Sequence, residues 1–230
     1  MTRKIAINQP AYLPWLGYFE RISRSDHYVI LDHVQFEKNS MVNRNKIRTA
    51  NGWQWLTVPV RTSGKFGELA ITDVEIENSV KWPKKHWNSI FLNYKKAPFF
   101  NLYSDYLNEC YQKKWERLCD LLLDQHDFFS QALGLNVSTV RSTEMSLKST
   151  KSDLVLDICR DLKADAYLSG AHGRDYLDES AFRQNGIEVS YQDYAHPEYS
   201  QMHGEFISHL SVLDLLFNCG PDSLHVLQNG

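Results

Sequence analysis

The sequence predicts an α/β protein: a mostly parallel sheet with flanking helices and a helical insert. Three observations carry that expectation. Roughly the first thirty residues read strand, helix, strand, the pattern of a parallel βαβ unit. The middle of the chain repeats apolar residues at helical spacing, and two short apolar runs return later, each followed by a polar turn. With 230 residues, 43% hydrophobic and 23% charged, the chain can bury a core without disulfides.

Each element has its own signal. Lys4–Gln9 is an apolar run that Pro10 ends, as a buried strand closed by a turn requires. Pro14 suits the opening of a helix whose apolar residues continue to Ile22, and His27–Asp32 reads as the second strand. Gln35–Arg48 is too irregular to assign. Trp53–Val60 and Leu69–Ile76 look like an antiparallel strand pair joined by the turn-rich Arg61–Gly67. Trp87, Ile90, Phe91 and Tyr94 share a helix face, and Trp115, Leu118, Leu122, Phe129 and Leu133 line a long helix stopping at Gly134. A further helix from Ser152 places Leu154, Val155, Ile158 and Leu162 on its apolar side. Ala166–Gly170 and Ile187–Tyr191 are strands. Ser211-Val-Leu-Asp214 is a capping-box pattern opening the last helix. The expected organisation is one domain over 1–230 with a helical insert at about 80–134.

Composition excludes several function classes. A net charge of −3 and a pI near 6.3 argue against a uniformly basic nucleic-acid binder. The four cysteines, at 110, 119, 159 and 219, form no Cys-x-x-Cys, so free thiols in a reducing compartment are expected and no metal site is spelled out. Neither a signal-peptide core nor a membrane-length apolar run occurs, so the chain reads as cytoplasmic. There is no Walker-type loop, no G-x-G-x-x-G, no Gly-x-Ser-x-Gly and no His-Glu-x-x-His, and the residues assign no cofactor.

The polar residues at strand ends are more informative. Gln9, then Asp32 with Gln35 after it, then Ser169 and Gly170 with His172 after them, and then Gln192 stand at strand ends. In a parallel sheet those ends share one edge, where ligands bind. Lys38, Asn43, Arg44 and Lys46 form the best anion-binding run, since guanidinium grips phosphate bidentately and ammonium adds a point charge. Tyr12, in the turn before the helix, and Gly17, which offers close approach, complete the expected pocket. His86, His172 and His196 are candidate general bases, because imidazole titrates near neutrality.

These residues sit in longer landmarks. Ile7-Asn-Gln-Pro-Ala-Tyr-Leu-Pro-Trp-Leu-Gly-Tyr-Phe19, Leu31-Asp-His-Val-Gln-Phe36 with Lys38, and Asn43-Arg-Asn-Lys-Ile47 are followed by Trp55–Val60 and Tyr94–Pro98. Tyr167–Gly170, Tyr176–Asp178, His196–Gln201 and Leu210–Asn218 complete the series. In that order the chain resembles the WbqC-like protein family. The resemblance implies bacterial surface-polysaccharide, particularly O-antigen, synthesis, and a substrate that is a nucleotide-activated amino- or deoxy-sugar. The opening is also similar to that of the HIGH-type nucleotidyltransferase superfamily, with its Rossmann-like fold and a triphosphate-binding His-x-Gly-His. Here Trp15 and Tyr18 hold the histidine positions and only Gly17 matches, so that chemistry does not carry over.

The substrate class points first to a transferase that moves an acyl or aminoacyl group onto a sugar amine. His172 or Asp32 would act as base, Arg44 and Lys46 would hold the diphosphate, and Ser169 and Asn43 would hold the carbonyl oxygen. Its partners would be the sugar nucleotide and an acyl donor, a charged tRNA being the one nucleic acid expected. A metal-independent glycosyltransferase, given the absence of Asp-x-Asp, and a non-catalytic sugar-nucleotide binding module remain open.

Overall fold

The computed structural model describes residues 2–62 and 69–229. β1 (Lys4–Asn8) sends Ile5 and Ile7 to one face and Ala6 to the other, as the two-residue period of a strand dictates. α1 (Leu16–Ser23) crosses over, and β2 (His27–Ile30) pairs parallel with β1, Ile5 opposite His27. The chain then leaves this sheet. β3 (Arg44–Thr49) and β4 (Gly52–Thr57) form an antiparallel pair, and β5 (Val60–Arg61) meets β6 (Glu75–Ile76) in a two-residue ladder. Three helices follow: α2 (Trp82–Tyr94), α3 (Phe100–Gln112) and α4 (Leu118–Ala132). The parallel sheet resumes with β7 (Ser138–Arg141), α5 (Lys151–Asp161), β8 (Ala166–Ser169), α6 (Glu179–Gln184) and β9 (Glu188–Tyr191). α7 (Val212–Cys219) and α8 (Ser223–Gln228) end the chain.

The five parallel strands lie in the order β7-β2-β1-β8-β9. Counted within the sheet this is 3-2-1-4-5, the order of doubly wound sheets, and the direction of crossing reverses between β1 and β8. Both faces are covered. Ile5, Ile7 and Val29 pack with Leu154, Val155 and Ile158 of α5 and Phe182 of α6. Ala6, Tyr28 and Ile30 face the larger core, which holds α1, the three middle helices and α7.

Several sequence expectations change. Residues 44–49, left unassigned, are the strand β3, and it is this strand that pairs with β4. The expected pairing of Trp53–Val60 with Leu69–Ile76 reduces to the β5–β6 ladder, because Ile71–Asp73 is a 3-10 turn. Part of the Arg61–Gly67 turn, residues 63–67, lies outside the described residues. α2 buries Trp82, His86, Ile90 and Tyr94, while Phe91 is exposed. The capping box is not closed. Ser211 Oγ accepts from the Leu213 N–H, but Asp214 turns inward. The four cysteines are free thiols, Cys219 half-buried and the others buried.

Three buried polar knots tie this architecture together. The first holds the turn after β1. Tyr12 is fully buried, and its hydroxyl lies 2.8 Å from His86 Nδ1 of α2 and 2.5 Å from the Tyr111 hydroxyl of α3. Burial lowers the His86 pKa to about 4, so its neutral ring is free to accept the Tyr12 proton. The next residue, Leu13, has a φ of 45°, and its N–H and carbonyl are taken by Gln125 Oε1 and Asn45 Nδ2. The second knot joins β2 to β7. Asp32 accepts from Arg141 Nε at 2.7 Å, Ser142 Oγ at 2.9 Å, and the Thr143 N–H and hydroxyl. Desolvation opposes ionisation there, yet these donors outweigh it and hold the carboxyl below its ordinary value. In the third, Asp214 accepts from the hydroxyls of Tyr94 at 2.9 Å and Tyr199 at 3.0 Å. Its burial dominates, and the carboxyl is pushed up to about 6.

Two predictions follow from the knots. Tyr12→Phe strands His86 Nδ1 and the Tyr111 hydroxyl in the core and should cost about 1–3 kcal/mol, read as a lower midpoint in thermal or urea unfolding. Asp214 binds its proton more tightly folded than unfolded, so its contribution is complete below about pH 4 and is lost as pH rises to about 6. The loss is about 3 kcal/mol at 1.36 kcal/mol per unit. The stability of Asp214→Asn relative to the parent should therefore rise between pH 4 and 7, and a flat difference across that range would refute the assignment.

Candidate functional site

The carboxyl ends of β1 and β8 open into a cleft of about 690 Å³. It lies where the strand order reverses, the position at which open α/β sheets bind ligands. Asn8 and Gln9 form its floor on one side and Ser169 and Gly170 on the other. α1 supplies one wall through Arg21, with Trp15 at the helix start. The turn Ala171–Asp175 supplies the second wall with His172, and Gln192 to Tyr194 close the end.

Local sequence explains the shape. Gly17 has no side chain because the Trp15 indole occupies that space, a Cβ there falling 2.2 Å from the ring. The expectation that Gly17 admits a ligand is thereby corrected: it seats Trp15. The indole stacks on His209 at 5.3 Å and meets Tyr194 edge-on at 5.9 Å. Gly170 serves Arg21 in the same way, since a Cβ on Gly170 would sit 2.3 Å from Arg21 Nη1. Gly173 accommodates Ser169, whose Oγ would overlap a Cβ at 2.0 Å. Gln192 Nε2 donates to the Gly17 carbonyl at 2.7 Å and to Glu20, fixing β9 against α1.

Arg21 forms no ion pair among the described residues, and its Nε is buried without a partner. Asn8 Nδ2 and the Tyr194 hydroxyl, also on the lining, are buried and unpartnered too. Buried polar groups are nearly always hydrogen-bonded, so three such donor groups in one cleft are a feature to explain. The Arg21 charge reaches Tyr167 and Tyr176, where it opposes the burial that raises both phenols. His172 stands fully exposed at the rim, its Nδ1 3.8 Å from Asp175 Oδ2.

The structure brings Gln9, Ser169, Gly170, His172 and Gln192 together on this lining. It places the other expected residues elsewhere. Tyr12 is in the core knot, because its hydroxyl is consumed by His86 and Tyr111. Asp32 lies at the same sheet edge but is fully buried and saturated by donors, so it cannot serve as the base. Asn43 is buried and donates to the Val58 carbonyl. Gln35 bridges to Ala70, and Lys38 borders a separate depression beside Arg61, Asp73 and Glu75. Arg44 and Lys46 share the outer face of β3, Arg44 4.4 Å above the Trp55 ring and Lys46 5.1 Å from Trp53. Of the other candidate bases, His86 is a core residue, and burial lowers the His196 pKa.

Sequence reasoning reached Asn8 and Tyr194 only as polar residues at strand ends, beside Gln9 and Gln192, and it missed Arg21. The signal for Arg21 was present: it lies four residues beyond Gly17, hence on the same face of α1.

Among the described residues no helix is long and apolar enough to cross a membrane, and no His, Cys, Asp and Glu cluster forms a metal-binding group. No solved structure matches the chain at a significant level. An uncharacterized protein of Mycobacterium tuberculosis is 34% identical over 223 residues, 96% of each chain. The family model of the WbqC-like protein family matches residues 9–226, a span that takes in both walls and the closing end of the cleft and all of its lining except Ile7 and Asn8. The chain belongs to the WbqC-like protein family.

Proposed function

We propose that the cleft binds a nucleotide-activated amino- or deoxy-sugar and that the protein transfers an acyl or aminoacyl group to the sugar amine. The observation that carries this reading is the convergence of three unpartnered buried donor groups, Asn8, Arg21 and Tyr194, at the switch point of a doubly wound sheet. Such a set suits a ligand rich in acceptor oxygens, and a guanidinium matches a phosphate oxygen pair in geometry and charge. Trp15 and Tyr176 offer apolar surface for a base or sugar ring beside it. The substrate class is the one that the resemblance to the WbqC-like family implies.

His172 is the one imidazole on the lining and is free at the rim, where an incoming amine would arrive. In the proposed reaction the amine attacks the acyl carbonyl, His172 takes the amine proton, and the donor's leaving group departs. In this reading the Asn8 amide, buried without a partner, donates to the carbonyl oxygen as it gains charge. This replaces Asp32 as base and Asn43 as oxyanion donor, both of which face away from the cleft.

Calorimetry with UDP-, GDP- and dTDP-linked sugars tests the binding. Arg21→Ala should weaken the best of these by about 1.5–3 kcal/mol, the range for a hydrogen bond to a charged group. Gly170→Ala, which displaces the guanidinium, should lower affinity in the same direction without removing any contact group. Absence of binding by all three nucleotide classes, or equal affinity in Arg21→Ala, would overturn the reading. Mass spectrometry of an amino-sugar nucleotide incubated with acyl donors then separates a transferase, which His172→Asn should cripple, from a binding module.

A further inference from the structure

We infer that the solvent face of α2 is a docking surface for an anionic lipid bilayer, on which the protein sits peripherally. Between Asn78 and Ser104 the chain holds five lysines and neither Asp nor Glu, in a protein whose net charge is −3. The distribution in space is sharper still. α2 buries Trp82, His86, Ile90 and Tyr94 along one stripe, and its opposite side presents Lys84, Lys85 and Lys95 with Phe91 and Leu92, Lys81 standing just before the helix. None of the five lysines, Lys96 included, makes an ion pair among the described residues. Arg61 and Lys114, by contrast, are each paired with a glutamate.

The apolar residues on this face are unusual as well. Leu92 is 68% exposed and Phe91 40%, with Val80 at 44% before the helix and Leu102 at 61% in the first turn of α3. Phe91 is braced by Trp87 and Phe100, at 5.9 Å from each ring, and the Lys95 ammonium lies 5.4 Å from its centroid. Leucine and phenylalanine set among lysines, without acids, are what an interfacial helix presents to headgroups and acyl chains. Lysine stems lie along the apolar surface while their ammonium groups reach the phosphates. Charge complementarity selects the occupant: a bilayer surface bearing anionic lipid attracts such a cluster, each lysine contributing separately.

Vesicle co-sedimentation tests this on the full chain. The protein should partition onto phosphatidylcholine vesicles containing phosphatidylglycerol and far less onto phosphatidylcholine alone. Salt near 1 M, where the screening length is about 3 Å, should release it. The double variant Lys84→Glu/Lys85→Glu should reduce partitioning by roughly tenfold or more. Leu92→Ser should also reduce it while leaving binding to soluble heparin unchanged. Both substitutions lie on exposed side chains, and an unchanged thermal midpoint verifies folding. Failure to partition onto the anionic vesicles, or partitioning unaltered by either variant, overturns the proposal. Loss in the lysine variant with none in Leu92→Ser also overturns it, and assigns the face to a soluble polyanion.

Discussion

The turn that follows β1 is the constraint on which the rest of the structure leans. Pro10 ends the ladder, so the polar groups of the next residues cannot be met by neighbouring strands, and unpaired groups in a core are costly. Distant side chains meet them instead: Gln125 and Asn45 take the Leu13 peptide groups, and Met41 takes the Tyr12 N–H. The left-handed conformation of Leu13, unfavourable for a side chain bearing a Cβ, persists because these partners over-determine it. Through this one turn the sheet, the hairpin β3–β4 and the three middle helices become a single packed body, with the cleft floor directly at its start.

The cleft inherits rigidity from small residues rather than from large ones. Gly17, Gly170 and Gly173 each give up their side-chain volume to a neighbour: an indole, a guanidinium and a hydroxyl. Arg21 is thereby held against the strand end, with phenols around it and no ion pair among the described residues. That is a different arrangement from Arg141, whose charge is spent on Asp32. The two arginines show how the same edge of one sheet is divided. Its β2–β7 half is closed by an ion pair, and its β1–β8 half keeps a cation available.

How much of this could be read from residues depended on whether the signal was local. The βαβ opening, β8 and β9 are short apolar runs bounded by turns, and they were legible. β3 was not, because Arg-Asn-Lys-Ile-Arg-Thr places its buried polar residues, Asn45 and Arg48, on the backbone carbonyls of Leu13, His203 and Glu205, far away in sequence. β7, Ser-Thr-Val-Arg, is an exposed edge strand whose assignment rests on pairing with β2. At the site, strand-end position located Gln9, Ser169, Gly170 and Gln192 but could not separate them from Asp32, which follows a strand equally well. The basic run around Arg44 misled for a related reason: charge content says nothing about which face of a hairpin points where, and that face is stacked on tryptophan. Tyr12 resembles a pocket residue until the middle helices close over it.

The sheet order also sets a schedule for the growing chain. β1 acquires β2 within its own first folding unit, but its other neighbour, β8, begins only at Ala166. Until that segment leaves the ribosome, the central strand of the sheet is an edge with an unpaired row of amides and carbonyls. Native contacts of such long sequence separation form slowly, and domains of this kind expose aggregation-prone edges while they wait. The cleft, built from both strands of that late pairing, is accordingly among the final features of the molecule to be completed, and a nascent chain stalled in the middle helices would hold Asn8, Gln9 and Arg21 without Ser169, Gly170 and Gln192 to face them.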